Sequence, residues 1–271
     1  MPDVIGKTAY DSRPIGVFDS GFGGASTLRS ILRELPSERF IYYGDNANAP
    51  YGDRPESEIL KLSEAAAEFL LDHGVKALVV ACNTATSASI NALRKKLEVP
   101  VVSVEPAIKP ACEAEGSGRV LMLATVATTK LSRYRALQAR MPDPDRVINV
   151  GCSGIVDRIE RGIVGDDMFD DILTRCLGPY EGLEVDGIVL GCTHFPFIRG
   201  AISRYAKAHF TGDCRLYDGN AGTARQLGRV LRREGLCAPA GAPEGERVTF
   251  FTSADRAAAE PVFRMLLALP E

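Results

Sequence analysis

ALVVACNTA at 77–85 and GIVLGCTHF at 187–195 decide the fold of this sequence. Each is a short, continuously apolar run, the pattern of a strand covered on both faces in a parallel sheet. Each ends on a cysteine followed by polar residues, Asn83-Thr84 in one and Thr193-His194 in the other. Similar β-rich runs lie at Ile15–Phe18, Phe40–Tyr43, Val101–Val104, Val120–Ala124, Val147–Val150, Arg215–Tyr217 and Val248–Phe251. Helix-period segments separate them. Leu28, Ile31, Leu32 and Leu35 keep one face, and Ile59, Leu62, Ala66, Phe69 and Leu70 keep another before a stop at Gly74. This alternation predicts an α/β fold of mostly parallel sheets flanked by helices.

IGVFDS (15–20) and VLMLATVAT (120–128) each run a buried strand into a turn bearing a hydroxyl or carboxylate, and each precedes a later strand that ends in cysteine. The repeat predicts two pseudo-symmetric lobes with a site between them. Residues 14–105 plus 217–271 form the first, carrying Cys82, and 106–216 the second, carrying Cys192. CAPAGAPEGER (237–247) is a surface loop on this reading.

A chain of 271 residues, 45% hydrophobic, can bury a substantial core without metal or disulfide staples. A net charge of −3 with dispersed Lys and Arg offers no basic stripe for nucleic acid and no polybasic membrane anchor. The expected partner is a small molecule. No run approaches the ~18 apolar residues of a membrane span. The opening MPDVIGKTAYDSRP has neither the basic start nor the apolar stretch of a secretion signal, so a cytoplasmic protein is expected. Seven cysteines at irregular spacing, with no CxxC pair, read as free thiols.

In open parallel sheets ligands bind beyond the carboxyl ends of the strands, where both cysteine turns fall. Helix-period segments follow each one (Ile90, Leu93 and Leu97; Ile198, Ile202 and Tyr205), which predicts a helix N-terminus near each thiol. Such a position lowers a cysteine pKa from about 8.5 toward neutrality. A free cysteine is more often buried packing than chemistry. Cys112, Cys152, Cys176, Cys214 and Cys237 are read that way, whereas Cys82 and Cys192 are set apart by the polar residues after them.

Two equivalent thiols on facing lobes suit racemisation or epimerisation of a carbon acid, one removing a proton from one face while the other returns one to the opposite face. Asp19, at the end of the first strand, and His194 are the candidates to steady a thiolate or take up its proton. DSGFGGAST (19–27) matches neither GxGxxG nor a P-loop. It reads as a tight turn offering backbone amides and the Ser20 hydroxyl to a carboxylate. NAPYGDR (48–54) reads as an exposed turn, with Tyr51 and Gly52 as candidate ligand contacts.

FDSGFGG (18–24), APYG (49–52), ACNTAT (81–86) and LGCTHFP (190–196), in this order and spacing, resemble the bacterial glutamate racemases from about Ile15 to Leu231. The resemblance implies interconversion of L- and D-glutamate for peptidoglycan synthesis, without pyridoxal phosphate, any other cofactor or metal. It implies two bases, Cys82 deprotonating D-glutamate and Cys192 deprotonating L-glutamate. By the same matching Asp19, Ser20, Tyr51, Gly52, Asn83, Thr84, Thr193 and His194 line the substrate, with Thr125 and Thr128 of the ATVAT turn as further contacts. Glu160 stands where the family carries an acidic helper near His194, although GCSGIVDRIERG (151–162) is poorer in Pro and Leu than the family segment. YDGNAGTAR (217–225) also departs from the family pattern and contributes no site residue. Family members often form homodimers, so that assembly is expected, with no sequence feature marking its interface.

Three rivals fit parts of this pattern. Aspartate or broad-specificity racemases of the same superfamily commonly carry Glu where this chain has His194. A cysteine hydrolase or acyltransferase using Cys192 as nucleophile would leave Cys82 unexplained. An amino-acid-binding module would need neither thiol.

Overall fold

The computed structural model describes residues 10–241 and 243–270. Residues 1–9 of the opening segment therefore lie outside the described ones. The first half comprises β1 (Ile15–Asp19), α1 (Ala25–Glu34), β2 (Phe40–Gly44), α2 (Glu56–Asp72), β3 (Ala77–Val80), α3 (Asn83–Lys96), β4 (Val101–Ser103) and α4 (Ile108–Glu113). There follow β5 (Arg119–Ala124), α5 (Val126–Lys130), α6 (Ser132–Gln138), β6 (Val147–Gly151), α7 (Ile155–Glu160), α8 (Asp170–Leu177), β7 (Val185–Leu190), α9 (Arg199–His209) and β8 (Arg215–Tyr217). The chain closes with α10 (Asn220–Glu234), β9 (Val248–Thr252) and α11 (Arg256–Ala268).

Each run read as a strand forms one, and the central strands are covered on both faces, whereas the edge strands β4, β6, β8 and β9 are only partly buried. All residues of β1 and β3 are buried, as is nearly all of β7. α2 ends where expected, with Gly74 in the left-handed region at φ +71°, a conformation that costs glycine little.

The strands assemble into two parallel sheets, β4-β3-β1-β2-β9 and β6-β5-β7-β8. Taken from its other edge, the second reads β8-β7-β5-β6, which repeats β4-β3-β1-β2 strand for strand. The pseudo-symmetry lies in this shared order. In each sheet the first strand sits between the second and the third, so the chain leaves strands one and three in opposite directions. The diverging loops open a crevice at the carboxyl ends of those strands. One crevice is flanked by Asp19-Ser20 after β1 and Cys82 after β3, the other by Thr125 after β5 and Cys192 after β7.

The C-terminal segment returns to the first sheet. β9 pairs with β2, and α10 and α11 pack along α1. One apolar cluster runs from Val17, Tyr42 and Val79 of the first sheet to Leu121, Leu123 and Ile188 of the second, so the core crosses the junction between them. All seven cysteines are free thiols. Cys112, Cys152 and Cys214 are buried, and Cys176 and Cys237 half-buried. No helix among the described residues is long and apolar enough to cross a membrane.

Candidate active site

β3 delivers Cys82 to the start of α3, where it is the N-cap residue. Its sulfur accepts the Ala85 N–H at 3.4 Å and lies 3.5 Å from Ser20 Oγ. The expected lowering of its pKa does not occur. Burial and then the Asp19 charge push the Cys82 thiol up to about 12, against the Ala85 amide and Ser20 hydroxyl that pull it down. One helix-terminal amide cannot offset full desolvation beside a carboxylate.

The second thiol is not at an α-helix N-terminus. A 3-10 turn over Phe195–Ile198 intervenes before α9. The partner of Cys192 is instead His194, whose Nδ1 stands 3.6 Å from Sγ. His194 Nε2 in turn lies 2.6 Å from Glu160 Oε1, at the end of α7. Burial alone would lower the imidazole pKa, but the hydrogen bonds and charges of Cys192 and Glu160 override it and hold His194 well above its ordinary value. Glu160 also accepts the Phe22 N–H at 2.7 Å and Asn46 Nδ2 at 2.8 Å, both from loops of the first sheet.

Asp19 is fully buried. Its Oδ1 accepts the Gly21 N–H at 2.8 Å and its Oδ2 the Thr193 hydroxyl at 3.0 Å. Burial raises its pKa, opposed by the His194 charge and by these hydrogen bonds. The glycine-rich turn therefore differs from the expectation, since its Gly21 and Phe22 amides are committed to Asp19 and Glu160. Close approach explains its glycines. A Cβ on Gly21 would stand 2.4 Å from Glu160 Oε1, and one on Gly23 would stand 2.4 Å from Thr193 Oγ1. Ser26 Oγ adds a bond to the Thr193 carbonyl at 2.7 Å.

Across the junction, the hydroxyls of Thr84, Thr125 and Thr128 form a triangle with edges of 3.1, 3.0 and 2.9 Å. Gly52 lies against Thr125, where an added Cβ would meet its side chain at 3.0 Å. Tyr51 is only 1% exposed and donates to Asp45 Oδ2 at 2.6 Å, so this residue of NAPYGDR is buried rather than exposed as expected, while Asp53 stays at the surface. Burial and Asp45 raise the Tyr51 phenol far above its usual range. Asn83 Oδ1 is buried with no hydrogen-bond partner among the described residues.

Residues 15–227 match the Asp/Glu/Hydantoin racemase family. The chain belongs to this family. It is 43% identical to the glutamate racemase of Pseudomonas paraeruginosa over 249 residues, 91% of each chain. It is similar to the crystal structure of Francisella tularensis glutamate racemase in complex with D-glutamate, at 29% identity and a TM-score of 0.80 over 96% of this chain and 95% of that one. Escherichia coli glutamate racemase in complex with L-glutamate and the activator UDP-MurNAc-Ala gives 33% identity and a TM-score of 0.78 over 94% and 95%.

In this Asp/Glu/Hydantoin racemase chain, the residues singled out by sequence converge where the two sheets meet. Three contributors were not singled out: the Phe22 amide, Asn46 and Ser26. Phe22 and Asn46 follow the carboxyl ends of β1 and β2, a position that favours function in parallel sheets. That position was their available signal.

Proposed function

We propose that the chain is a glutamate racemase in which Cys82 and Cys192 act as bases on opposite faces of one substrate, supplying D-glutamate for peptidoglycan and hence for cell wall biogenesis and cell shape. What carries the reading is that two buried thiols follow corresponding strands of two sheets with one strand order. The lobes are residues 14–105 with 217–271, and 106–216, a division supported by β9 joining the first sheet while β5 to β8 make up the second, except that Tyr217, the last residue of β8, pairs with Val189 of the second sheet. On the same resemblance the protein works in the cytoplasm as a homodimer, with glutamate as its small-molecule partner.

The two sides of the closed site differ in proton content. Burial and Asp19 hold Cys82 as a thiol, the acid form. Cys192 faces an imidazole whose cation Glu160 supports, which places Cys192 to act as the base. The Cα proton of L-glutamate passes to Cys192 while Cys82 delivers its own proton to the other face. The product is D-glutamate, with Cys82 now thiolate and Cys192 thiol, the state that runs the reverse reaction. The unpartnered Asn83 oxygen is an acceptor for the α-ammonium, and the hydroxyls of Ser20 and Thr84 offer donors to carboxylate charge, while Thr193 spends its proton on Asp19. Thr125 and Thr128 orient Thr84. Cys82 and Cys192 are only 5% and 7% exposed, so glutamate enters when the lobes part, and closure then excludes water.

Cys82→Ser and Cys192→Ser test the assignment, followed by circular dichroism of L- and D-glutamate, with L-aspartate alongside. Each variant is expected to lose racemisation of glutamate. Full racemisation by both would end the two-base account, and decay of aspartate in the unmodified protein would move the specificity.

A further inference from the structure

Glu160 is gripped from both sides of the junction. Its helix α7 and His194 belong to the half built on the second sheet. Its other two donors, the Phe22 N–H on Oε1 and Asn46 Nδ2 on Oε2, come from the half built on the first. Asn46 is itself fixed. Thr252, the last residue of β9, donates its hydroxyl to Asn46 Oδ1 at 2.9 Å. The same hydroxyl oxygen accepts the Ala254 N–H at 3.1 Å, which leaves its one proton for Asn46. The Glu160 carboxylate only accepts, so the Asn46 NH2 faces it and Asn46 Oδ1 accepts from Thr252.

We infer that Asn46 is a positioning residue that couples closure of the lobes to the protonation of His194, the partner of Cys192. With the lobes closed, three donors share the Glu160 carboxylate and hold it in place against Nε2. His194 is then the cation beside Cys192. With the lobes parted, the Phe22 and Asn46 donors withdraw together, the already part-exposed Glu160 exchanges them for water, and the imidazole loses its fixed counter-charge. The base is assembled only around enclosed substrate. The inference rests on the two-thiol reading above.

Several charged groups face this carboxylate. His194 and Asp19 lie on the site side. Asp157, Arg161 and Asp255 line a cleft of about 400 Å³ that reaches Asn46 and Glu160 from outside. Asp45 precedes Asn46 but is engaged by Tyr51 and Asn48, and Asp255 caps α11 through the Ala257 N–H.

Asn46→Ala, Asn46→Asp and Thr252→Val test the coupling, with racemisation followed from both enantiomers across pH. Enantiomers are equal in free energy, so kcat/KM must fall equally in both directions. Asn46→Ala is expected to lose roughly ten- to hundredfold, the factor carried by a hydrogen bond to a charged group, with far-UV circular dichroism and melting near those of the unmodified protein. Thr252→Val, which frees the amide to rotate, loses less. Asn46→Asp is decisive. Protonated, the new carboxyl still donates to Glu160; ionised, it repels Glu160. Activity in this variant therefore falls as pH rises through the titration of the carboxylate pair, a limb the unmodified protein lacks. A merely structural role leaves the pH profile unchanged in shape. Asn46→Ala within twofold of the unmodified protein, or Asn46→Asp without the new limb, overturns the coupling. An unmodified protein that racemises neither enantiomer removes the racemase reading instead.

Discussion

Gly23→Ala is the substitution whose consequence follows most directly from the packing of the site. The added Cβ would stand 2.4 Å from Thr193 Oγ1 and 2.5 Å from His194 Nδ1, about 1 Å inside the 3.4 Å at which ordinary contact begins. Neither neighbour can swing aside. The Thr193 hydroxyl is committed to Asp19, and His194 is held between Cys192 and Glu160. Gly23 takes no positive φ, so the cost lies in contact between the halves and not in backbone strain. The halves must separate locally by about 1 Å, a displacement worth roughly a hundredfold in rate. Overpacking of this kind costs about 1–3 kcal/mol, a fall in melting temperature of roughly 2–4 °C per kcal/mol. Decay of the L-glutamate circular dichroism signal gives kcat/KM, and thermal unfolding gives stability. Gly222→Ala on α10 is the control, because an added Cβ there meets nothing within 4 Å. It should be active as before and more stable by about 0.5–1 kcal/mol. Gly23→Ala with kcat/KM within threefold of the unmodified protein would refute the tight apposition.

Glu160→Gln removes the charge that supports protonated His194, so the His194 pKa falls. Activity that needs the cation is then lost at lower pH, and the alkaline limb of the rate profile moves toward acid; an unmoved limb would show that Glu160 does not set the protonation of His194. Asp19→Asn should lower activity at least tenfold or so while stabilising the fold. Burial raises the Asp19 pKa, so its contribution to stability is present below the unfolded value and lost as pH rises through the folded value. The stability advantage of Asp19→Asn over the unmodified protein should therefore grow with pH in urea titrations. Equal stability at acid and neutral pH would contradict that sign.

The strands were legible because burial on both faces makes them continuously apolar, and Gly74 marked the end of α2 through its left-handed backbone. The order of strands within each sheet was not legible, although the matched endings at Asp19-Ser20, Thr125, Cys82 and Cys192 foreshadowed the duplication that TVAT and GCTH share with DSG and ACNT. Electrostatics was the weak point. A helix N-terminus after Cys82 suggested a lowered pKa, but sequence spacing carries no measure of desolvation, and Asp19 lies far away in the chain. FDSGFGG suggested a tight turn offering its amides to a carboxylate, whereas the neighbours that crowd Gly21 and Gly23, namely Glu160, Thr193 and His194, come from the far half of the sequence. Asn46 escaped notice for the same reason, since its meaning depends on Glu160, 114 positions later.

Racemisation of L-glutamate in D2O, stopped early and resolved by enantiomer, tests the central claim most directly. Two bases on opposite faces, with Cys192 receiving the protium and Cys82 delivering a solvent-derived deuteron, predict deuterium at Cα of the D-glutamate formed while the remaining L-glutamate stays protiated. Equal early deuteration of both enantiomers would mean that one group serves both faces, and the two-thiol account would be wrong.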